Sequence, residues 1–167
     1  MNDANRPERT RPDILFLSFF GVGFLPKAPG TWGTLATLPF LYGLGRFNPP
    51  FFLFIPFIII VTLISSFVTE TVQKKYNLHD PQFIVIDEVL GMSTAWLFIQ
   101  KHNLAHLMLL FILFRAFDIK KVWPASYFDK KVEHGAGTIL DDIVSGVYAG
   151  VVYLVINAFF SDYLNFI

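Results

Sequence analysis

The chain has 167 residues, of which 54% are hydrophobic and 16% are charged, and its formal net charge is zero. The charged share lies below the roughly 25% of soluble globular domains, so the composition indicates a single-domain membrane protein. Zero net charge argues against nucleic-acid binding, which draws on a basic surplus. The chain has no cysteine, which excludes disulfides, thiolate nucleophiles and thiolate-bound zinc.

The N-terminal region divides into a polar arm, residues 1–13, and the start of one membrane domain, residues 14–167. The first apolar run, 14–25, continues into prolines and a lysine rather than a small-residue cleavage site. We therefore expect a retained segment and not a cleaved signal peptide. The run is shorter than the ~20 residues of a typical membrane span.

Two helical hairpins are predicted next. The first joins 35–47 to 51–68 through the turn-forming residues 48–50, and the second covers 89–114 and turns at 101–103. The run 51–68 is uncharged and is a credible transmembrane helix. Each hairpin leaves one side of the bilayer and returns to it, so the polar segments between them lie on a common face.

The helix of the second hairpin has a typical start signal. Asp80 is a candidate N-cap and Pro81 suits the first helical position, so we expect this helix to run to about Ile99. Asp87 and Glu88 would then lie about two turns inside it.

The distribution of positive charge indicates which face is cytoplasmic. All of the 13 lysines and arginines lie on the common face except Arg46 and Lys101. The positive-inside rule places that face in the cytoplasm. The predicted fold is an all-α, single-domain helical bundle, with transmembrane and shallow or re-entrant helices and with its motif loops gathered on one face.

The first motif is the glycine-rich loop 21–34, which contains Lys27, Thr31 and Thr34. Glycines let the backbone approach a ligand closely, and Thr34 is a candidate cap for a helix whose N-terminus would favour an anion. The loop lacks the residue order of a nucleotide P-loop. A simple turn followed by a capped helix is the alternative.

The second motif is the adjacent pair Asp87 and Glu88 within the otherwise apolar run 83–92. Charges in such a setting cost several kcal/mol unless a metal, a cation or water offsets them. On a helix the two side chains point about 100° apart, so they can border one cavity but need help to face one ion. The alternative is an exposed pair at a helix entrance.

The third motif places Arg115, Asp118 and Lys121 at three-residue spacing, which gathers them on one helix face. The planar guanidinium and the mobile ammonium suit phosphate oxygens, although an exposed ladder of salt bridges has the same spacing.

The fourth motif is Asp141 and Asp142 at the mouth of the last apolar run, 143–160, behind a glycine-rich turn, 135–137. Helix capping alone is the alternative here. Within the run, glycines at 146 and 150 would permit close helix packing.

Five carboxylates from these motifs form a sulfur-free set that matches hard-cation chemistry, above all Mg²⁺. They are Asp87, Glu88, Asp118, Asp141 and Asp142. The histidines show no metal-ligand spacing, and we expect structural or solvent-exposed roles for His79, His102, His106 and His134.

Taken together, the four motifs resemble the phosphatidylglycerophosphatase A family of bacterial membrane lipid phosphatases, from about Phe20 to Gly150. The resemblance is carried by the loop 28–35, by 84–88 with Gly91-Met92, by Phe114-Arg115 with Asp118, Lys121 and Trp123-Pro124, and by 135–137 with Asp141-Asp142 and Gly146. Val122 and the stretch 138–140 depart from the family pattern, but every candidate ligand is present.

The resemblance implies Mg²⁺-dependent hydrolysis of phosphatidylglycerophosphate to phosphatidylglycerol and inorganic phosphate, by a multi-pass protein of the bacterial inner membrane with its site facing the cytoplasm. The oligomeric state is left open. We expect one or two Mg²⁺ ions on Asp87, Glu88, Asp141 and Asp142. We expect the phosphate to bind Arg115 and Lys121, and Asp118 either to be a further ligand or to orient these cations. The headgroup side would be lined by Lys27, Thr31 and Thr34.

Other functions fit less well. A membrane transporter or proton-coupled channel would also place acidic residues near membrane helices, but it favours carboxylates at mid-span. The sequence lacks the paired histidine motifs of histidine-nucleophile phosphatases and the spaced aspartates of CDP-alcohol phosphotransferases. A noncatalytic scaffold would not need five clustered acids.

Overall fold

A computed structural model describes residues 7–47, 49–78, 81–125, 127 and 135–164. These residues form six α-helices and no β-strand, so the all-α prediction is confirmed. The helices are α1 Pro12–Leu17, α2 Pro29–Gly45, α3 Phe51–Tyr76, α4 Ile86–Trp96, α5 Leu104–Lys120 and α6 Gly135–Leu164, and a 3-10 turn, Val22–Phe24, lies between α1 and α2.

Both predicted pairs of consecutive helices are present, but only α4 and α5 pack on each other as a hairpin, since α2 and α3 make little or no contact. The helices α2 and α3 are separated by the proline-containing segment 46–50, of which Asn48 lies outside the described residues. The helices α4 and α5 are separated by 97–103, and the Asn103 side chain caps α5 by accepting a hydrogen bond of 3.0 Å from the backbone N–H of His106. The start of α4, the end of α5 and the starts of α2 and α6 therefore meet at one end of the bundle.

The prediction that α4 begins at Pro81 is wrong, and Asp80 lies outside the described residues. Residues 81–85 are not helical, because tertiary contacts hold them. The Val85 backbone N–H donates to the Leu17 carbonyl at 2.9 Å. Gly23 packs so tightly on this segment that an added Cβ would lie 2.0 Å from the Phe83 carbonyl oxygen. Asp87 and Glu88 consequently lie in the first turn of α4, and not two turns inside it.

Two other helices begin earlier than predicted. The cap role for Thr34 is wrong because α2 already starts at Pro29, and the Thr34 hydroxyl donates to the Gly30 carbonyl within the helix at 2.9 Å. The glycine-rich stretch 135–137 is the first turn of α6 rather than a turn before it. Asp141 and Asp142 therefore lie about two turns inside α6, which rules out helix capping as their role.

Glycines allow α4 and α6 to cross closely. A Cβ on Gly146 would lie 2.2 Å from the Gly91 carbonyl oxygen, and a Cβ on Gly91 would lie 2.7 Å from the Asp142 carbonyl oxygen. Further along α6, a Cβ on Gly150 would lie 2.2 Å from the Phe98 ring. The predicted close approach at Gly146 and Gly150 is confirmed, and it places the first turn of α4 beside the acidic turn of α6.

Two of the described helical segments, Phe52–Tyr76 and Ala136–Phe160, are long and apolar enough to cross a membrane. By contrast α4 has 11 residues, which corresponds to about 16 Å, so short helices accompany the long ones as predicted. Large apolar side chains of α3 are exposed, among them Phe52, Leu53, Phe57, Ile60, Leu63 and Phe67. An apolar surface of this extent is typical of membrane or partner contact.

Candidate active site

A cleft of about 850 Å³ opens at the end of the bundle where the four motifs meet. Its lining includes residues from every motif: Lys27 and Gly30, Asp87 and Glu88, Arg115, Asp118 and Lys121, and Asp141 and Asp142. The two helix pairs therefore return to the same end of the bundle, as their predicted topology requires.

Three carboxylates lie close enough to share one ion. One oxygen each from Asp87, Glu88 and Asp142 lies within 4.8 Å of the other two, and we call these residues the three-carboxylate group. Asp87 and Asp142 are 7% and 5% exposed. The Glu88 Oε2 atom is buried and has no hydrogen-bond partner among the described residues. Buried oxygen donors with an unsatisfied atom fit a hard divalent cation such as Mg²⁺.

Asp87 and Glu88 point about 100° apart on α4, and the crossing of α4 with α6 adds the third carboxylate, which lies close to both. Asp87 and Glu88 lie in the first turn of α4, where the Asp87 carboxylate accepts a 3.1 Å hydrogen bond from the backbone N–H of Glu88. Asp142 approaches from α6 because the crossing at Gly91 brings the backbones together. Asp142, the third carboxylate of the group, thus comes from a different helix.

Without a cation this arrangement is electrostatically unfavourable. Burial raises the pKa of Asp87 well above its ordinary value, and the charge of Glu88 raises it further. Burial also raises the pKa of Glu88, and nearby Asp118 adds to this effect while Arg115 opposes it. A divalent cation bound between these groups would relieve both the desolvation and the repulsion.

Arg115 connects three of the motifs. Its Nη1 atom lies 2.5 Å from Asp118 Oδ2 and 3.9 Å from Glu88 Oε1. The same nitrogen donates a long hydrogen bond of 3.4 Å to the Thr34 hydroxyl. Asp118 in turn approaches Asp142 of the three-carboxylate group. The guanidinium is therefore fixed at the edge of the acidic site, where it also faces the cleft.

Lys121 and Asp141 form a second ion pair at the cleft, with 2.9 Å between Nζ and Oδ2. Lys121 ends α5 in a left-handed conformation with a φ of 44°, and Asp141 is 2% exposed. The Asp141 side chain thus lies against a cation, whereas the three-carboxylate group draws on Asp142. The expectation that Asp141 is a metal ligand stays a prediction.

The glycine-rich loop approaches the acidic site through Gly30. A Cβ at this position would lie 1.8 Å from Glu88 Oε1, so the contact requires glycine. Of the three residues predicted to line the headgroup side, Lys27 is exposed and lines the cleft, whereas Thr34 is buried against Arg115 and is not part of the cleft lining. Thr31 lies on α2 outside the cleft lining.

One wall of the cleft was not anticipated from the sequence. It is built by residues 81–84 together with Gly23 and Phe24, and the rings of Phe24 and Phe83 stack with centroids 5.5 Å apart. Because Asp80-Pro81 is a helix-start signal, the sequence predicted a helix at residues 81–84 and not a non-helical wall of a cleft. The only sequence signal for the close contact between Gly23 and Phe83 was that Gly23 belongs to a glycine-rich stretch.

The described histidines lie away from the cleft. His102 packs near Gly45, and His106 is fully buried with its Nδ1 atom 2.6 Å from the Tyr153 hydroxyl oxygen, at the far ends of α4 and α5. His79 and His134 lie outside the described residues. Among the described residues, candidate chemistry at the cleft therefore rests on carboxylates, lysines and an arginine.

Comparisons with known proteins agree with this site. Residues 15–157 match the family described as Phosphatidylglycerophosphatase A. The chain is 34% identical over 152 residues to the Phosphatidylglycerophosphatase A of Escherichia coli, covering 90% of this chain and 87% of the relative. It is also 34% identical over 157 residues to the protein of that name from Haemophilus influenzae, covering 93% of this chain and 95% of the relative.

A further relative is a Putative phosphatidylinositol-3-phosphatase of Bacteroides thetaiotaomicron, 30% identical over 144 residues that cover 81% of this chain and 87% of the relative. No solved structure matches the chain. The family match covers most of the chain, and the chain therefore belongs to the phosphatidylglycerophosphatase A family, a family of phosphatase enzymes.

Proposed function

We propose that this enzyme hydrolyses the terminal phosphate of phosphatidylglycerophosphate, yielding phosphatidylglycerol and inorganic phosphate, with Mg²⁺ as cofactor. The observation that carries the proposal is the largely buried three-carboxylate group beside two cations in one cleft, with a Glu88 oxygen that has no hydrogen-bond partner among the described residues. Two relatives bear the name of this activity. The lipid named for the third relative also carries a phosphomonoester on an alcohol that a phosphodiester joins to diacylglycerol.

The metal would be held by Asp87, Glu88 and Asp142, whose oxygens already lie within 4.8 Å of one another. When bound, Mg²⁺ supplies a Lewis acid for phosphoryl oxygens and lowers the pKa of an attacking water. Asp141 also belongs to the site, because its carboxylate forms an ion pair with Lys121.

The cations bind and orient the phosphoryl group. Arg115 presents a planar guanidinium that Asp118 holds in place, and Lys121 presents an ammonium that Asp141 holds. Prepositioned cations of this kind stabilise the charge that develops on the phosphoryl oxygens. Water adds to phosphorus as the bond to the glycerol oxygen breaks, and the glycerol oxygen leaves with a proton.

We also propose that the protein is a multi-pass protein of the bacterial inner membrane, with the cleft at the cytoplasmic side. The two long apolar segments and the exposed apolar side chains of α3 support the membrane location. The predicted placement of lysine and arginine on the face of the motif loops supports the orientation. The acyl chains of the substrate would remain in the bilayer while the headgroup enters the cleft.

The test is phosphate release by purified protein in detergent micelles that contain phosphatidylglycerophosphate. We expect release with Mg²⁺, none with chelator, and a near-complete loss for Asp142→Asn in the presence of Mg²⁺. Glu70→Gln is the matched control, because Glu70 pairs with Lys74 on the surface of α3, away from the cleft, and its turnover should equal that of the wild type.

Near-normal turnover of Asp142→Asn would contradict the assignment of the metal site. The transporter alternative predicts ion flux in liposomes and no phosphate release, so absence of release from every phosphatidyl lipid carrying a headgroup phosphate would favour it over a phosphatase.

A further inference from the structure

Among the described residues, three cations line the cleft, and two of them have carboxylate partners. Arg115 pairs with Asp118, and Lys121 pairs with Asp141. Lys27 is exposed, and no ion pair involves it among the residues that the structure describes. An ammonium at a cleft without a protein anion beside it is suited to bind an anionic group of the ligand.

The loop that carries Lys27 is held in a costly conformation. Lys27 and Ala28 both adopt left-handed backbone angles, with φ of 58° and 51°, which non-glycine residues seldom do. Non-glycine residues keep such angles only where the surrounding structure enforces them. The enforcement is visible, since the Trp32 indole N–H donates to the Pro26 carbonyl at 3.3 Å and α2 starts directly after Ala28.

The loop that carries Lys27 lies close to Glu88, one of the proposed metal ligands. Gly30 contacts Glu88, and Lys27 precedes Gly30 by three residues, so their Cα atoms are at most about 11 Å apart. Lys27 and its near neighbour Leu25 both line the cleft and are exposed. Because Asp87 and Asp142 are buried in the same cleft, Lys27 lies outward of the three-carboxylate group, and Leu25 adds an apolar side chain to this exposed part.

The substrate class has two phosphates that differ in chemistry. The monoester that is removed would lie deep in the cleft, at the carboxylates with Arg115 and Lys121. The phosphodiester follows one glycerol unit further out, next to the acyl chains that leave through the apolar rim. A singly charged diester can be matched by a single positive charge, which lysine supplies.

We propose that Lys27 binds the phosphodiester of the lipid. It thereby determines the preference for lipids that carry both a phosphodiester and a terminal phosphomonoester over phosphatidic acid, which has no diester. This inference rests on the proposed function, because it assumes that the monoester is hydrolysed at the three-carboxylate group. It adds a specificity determinant to that site.

The experiment compares wild type, Lys27→Ala and Lys27→Arg with Lys120→Ala, which removes an exposed cation of α5 outside the cleft lining. Phosphate release is measured in neutral detergent micelles from phosphatidylglycerophosphate and from phosphatidic acid. We expect Lys27→Ala to lower kcat/KM for phosphatidylglycerophosphate by about tenfold, mainly by raising KM. The kcat/KM for phosphatidic acid should stay within about twofold of the wild-type value. Lys27→Arg should recover most of the loss, and Lys120→Ala should resemble wild type.

Product inhibition gives a second readout that does not need phosphatidic acid to be a substrate. Phosphatidylglycerol retains the diester and lacks the monoester, whereas inorganic phosphate has no diester. Lys27→Ala should raise the inhibition constant of phosphatidylglycerol by about tenfold and leave that of inorganic phosphate unchanged.

The outcomes separate the two proposals. A wild-type enzyme that releases no phosphate from phosphatidylglycerophosphate overturns the proposed function and this inference with it. An active wild type whose Lys27→Ala variant loses nothing, or loses equally on both lipids and both inhibitors, overturns the role of Lys27 alone.

Discussion

Two buried polar clusters lie at opposite ends of the same helical bundle, and they differ in charge. At the cleft end, three carboxylates of like charge gather, and one of their oxygens has no hydrogen-bond partner among the described residues. At the other end, polar groups that include no carboxylate pair with one another, and we call this set the distal network. It comprises His106, Tyr153, Gln100 and Asn157.

The distal network satisfies most of its polar atoms internally. The His106 ring and the Tyr153 hydroxyl are 2.6 Å apart, the Gln100 backbone N–H donates to that hydroxyl at 3.3 Å, and the Asn157 amide donates to the Gln100 side chain at 2.7 Å. Asn157 Oδ1 has no partner among the described residues, but it is a neutral atom. Such a network stabilises a packed core without any ligand.

The comparison teaches that burial of polar groups by itself does not identify a functional site. Neutral groups that pair with each other stabilise the fold, whereas like charges that face each other destabilise it until a cation arrives. We therefore expect a bound cation to stabilise the cleft end and to leave the distal network unaffected. Three substitutions test this contrast, from the largest expected effect on turnover to the smallest.

Gly30→Ala should damage the cleft end most among these. The added methyl group would lie 1.8 Å from Glu88 Oε1, so the carboxylate of this proposed metal ligand must move. We expect a fall of about a hundredfold in kcat/KM, since a displacement of about 1 Å in a catalytic site has effects of this size. The control is Gly43→Ala in the same helix, where a Cβ meets nothing within 4 Å.

Gly43→Ala should keep full turnover, because it adds a methyl group to open space and only increases helix propensity. Phosphate release and circular dichroism are measured on both variants. Equal turnover of the two alanine variants would show that the contact between Gly30 and Glu88 does not position a ligand.

Asp141→Asn should have an intermediate effect through Lys121. The carboxamide removes the charge that holds the ammonium at 2.9 Å, so we expect kcat/KM to fall by about tenfold while Mg²⁺ still raises the melting temperature. The control is Asp13→Asn, which breaks an ion pair of 2.6 Å with Arg11 outside the cleft lining.

Loss of the Mg²⁺-dependent thermal shift in Asp141→Asn would instead identify Asp141 as a metal ligand, as the sequence had suggested. Kinetics and thermal unfolding of the same preparations therefore distinguish positioning of Lys121 from coordination.

Tyr153→Phe should leave turnover per folded molecule unchanged and lower the free energy of unfolding. It removes the hydroxyl that bonds to His106 and to the Gln100 backbone, in a residue that is fully buried, so we expect a loss of about 1–2 kcal/mol. The control is Tyr148→Phe, whose hydroxyl makes an exposed hydrogen bond of 2.9 Å to the Trp123 carbonyl and should matter less.

Unfolding of the detergent-solubilised variants by added denaturant, with activity measured before unfolding, provides both quantities. A selective loss of turnover in Tyr153→Phe without a loss of stability would mean that the two ends of the bundle are coupled, against the contrast drawn above.

The sequence predicted the helical class, the two pairs of consecutive helices and the gathering of four motifs at one end. It also predicted the close packing at Gly146 and Gly150, because small residues at helical spacing have few other uses in an apolar helix. It failed at helix starts. The start signal at Pro81 was overridden by contacts of the following segment with Leu17 and Gly23, which are distant in the sequence.

The sequence by itself determined which chemistry is available to this protein. The lack of cysteine, the five motif carboxylates and the nearby cations are properties of composition and spacing, and they leave oxygen ligands and phosphate-binding cations. Family membership also follows from the sequence.

Only the tertiary structure decided which carboxylates meet. The crossing of α4 and α6 at Gly91 and Gly146 brings Asp142 to Asp87 and Glu88, while its neighbour Asp141 contacts Lys121. Adjacent residues on a helix point about 100° apart, so the partner of each depends on which helix packs against its side. That packing depends on contacts between residues far apart in the chain, and local sequence signals do not encode it.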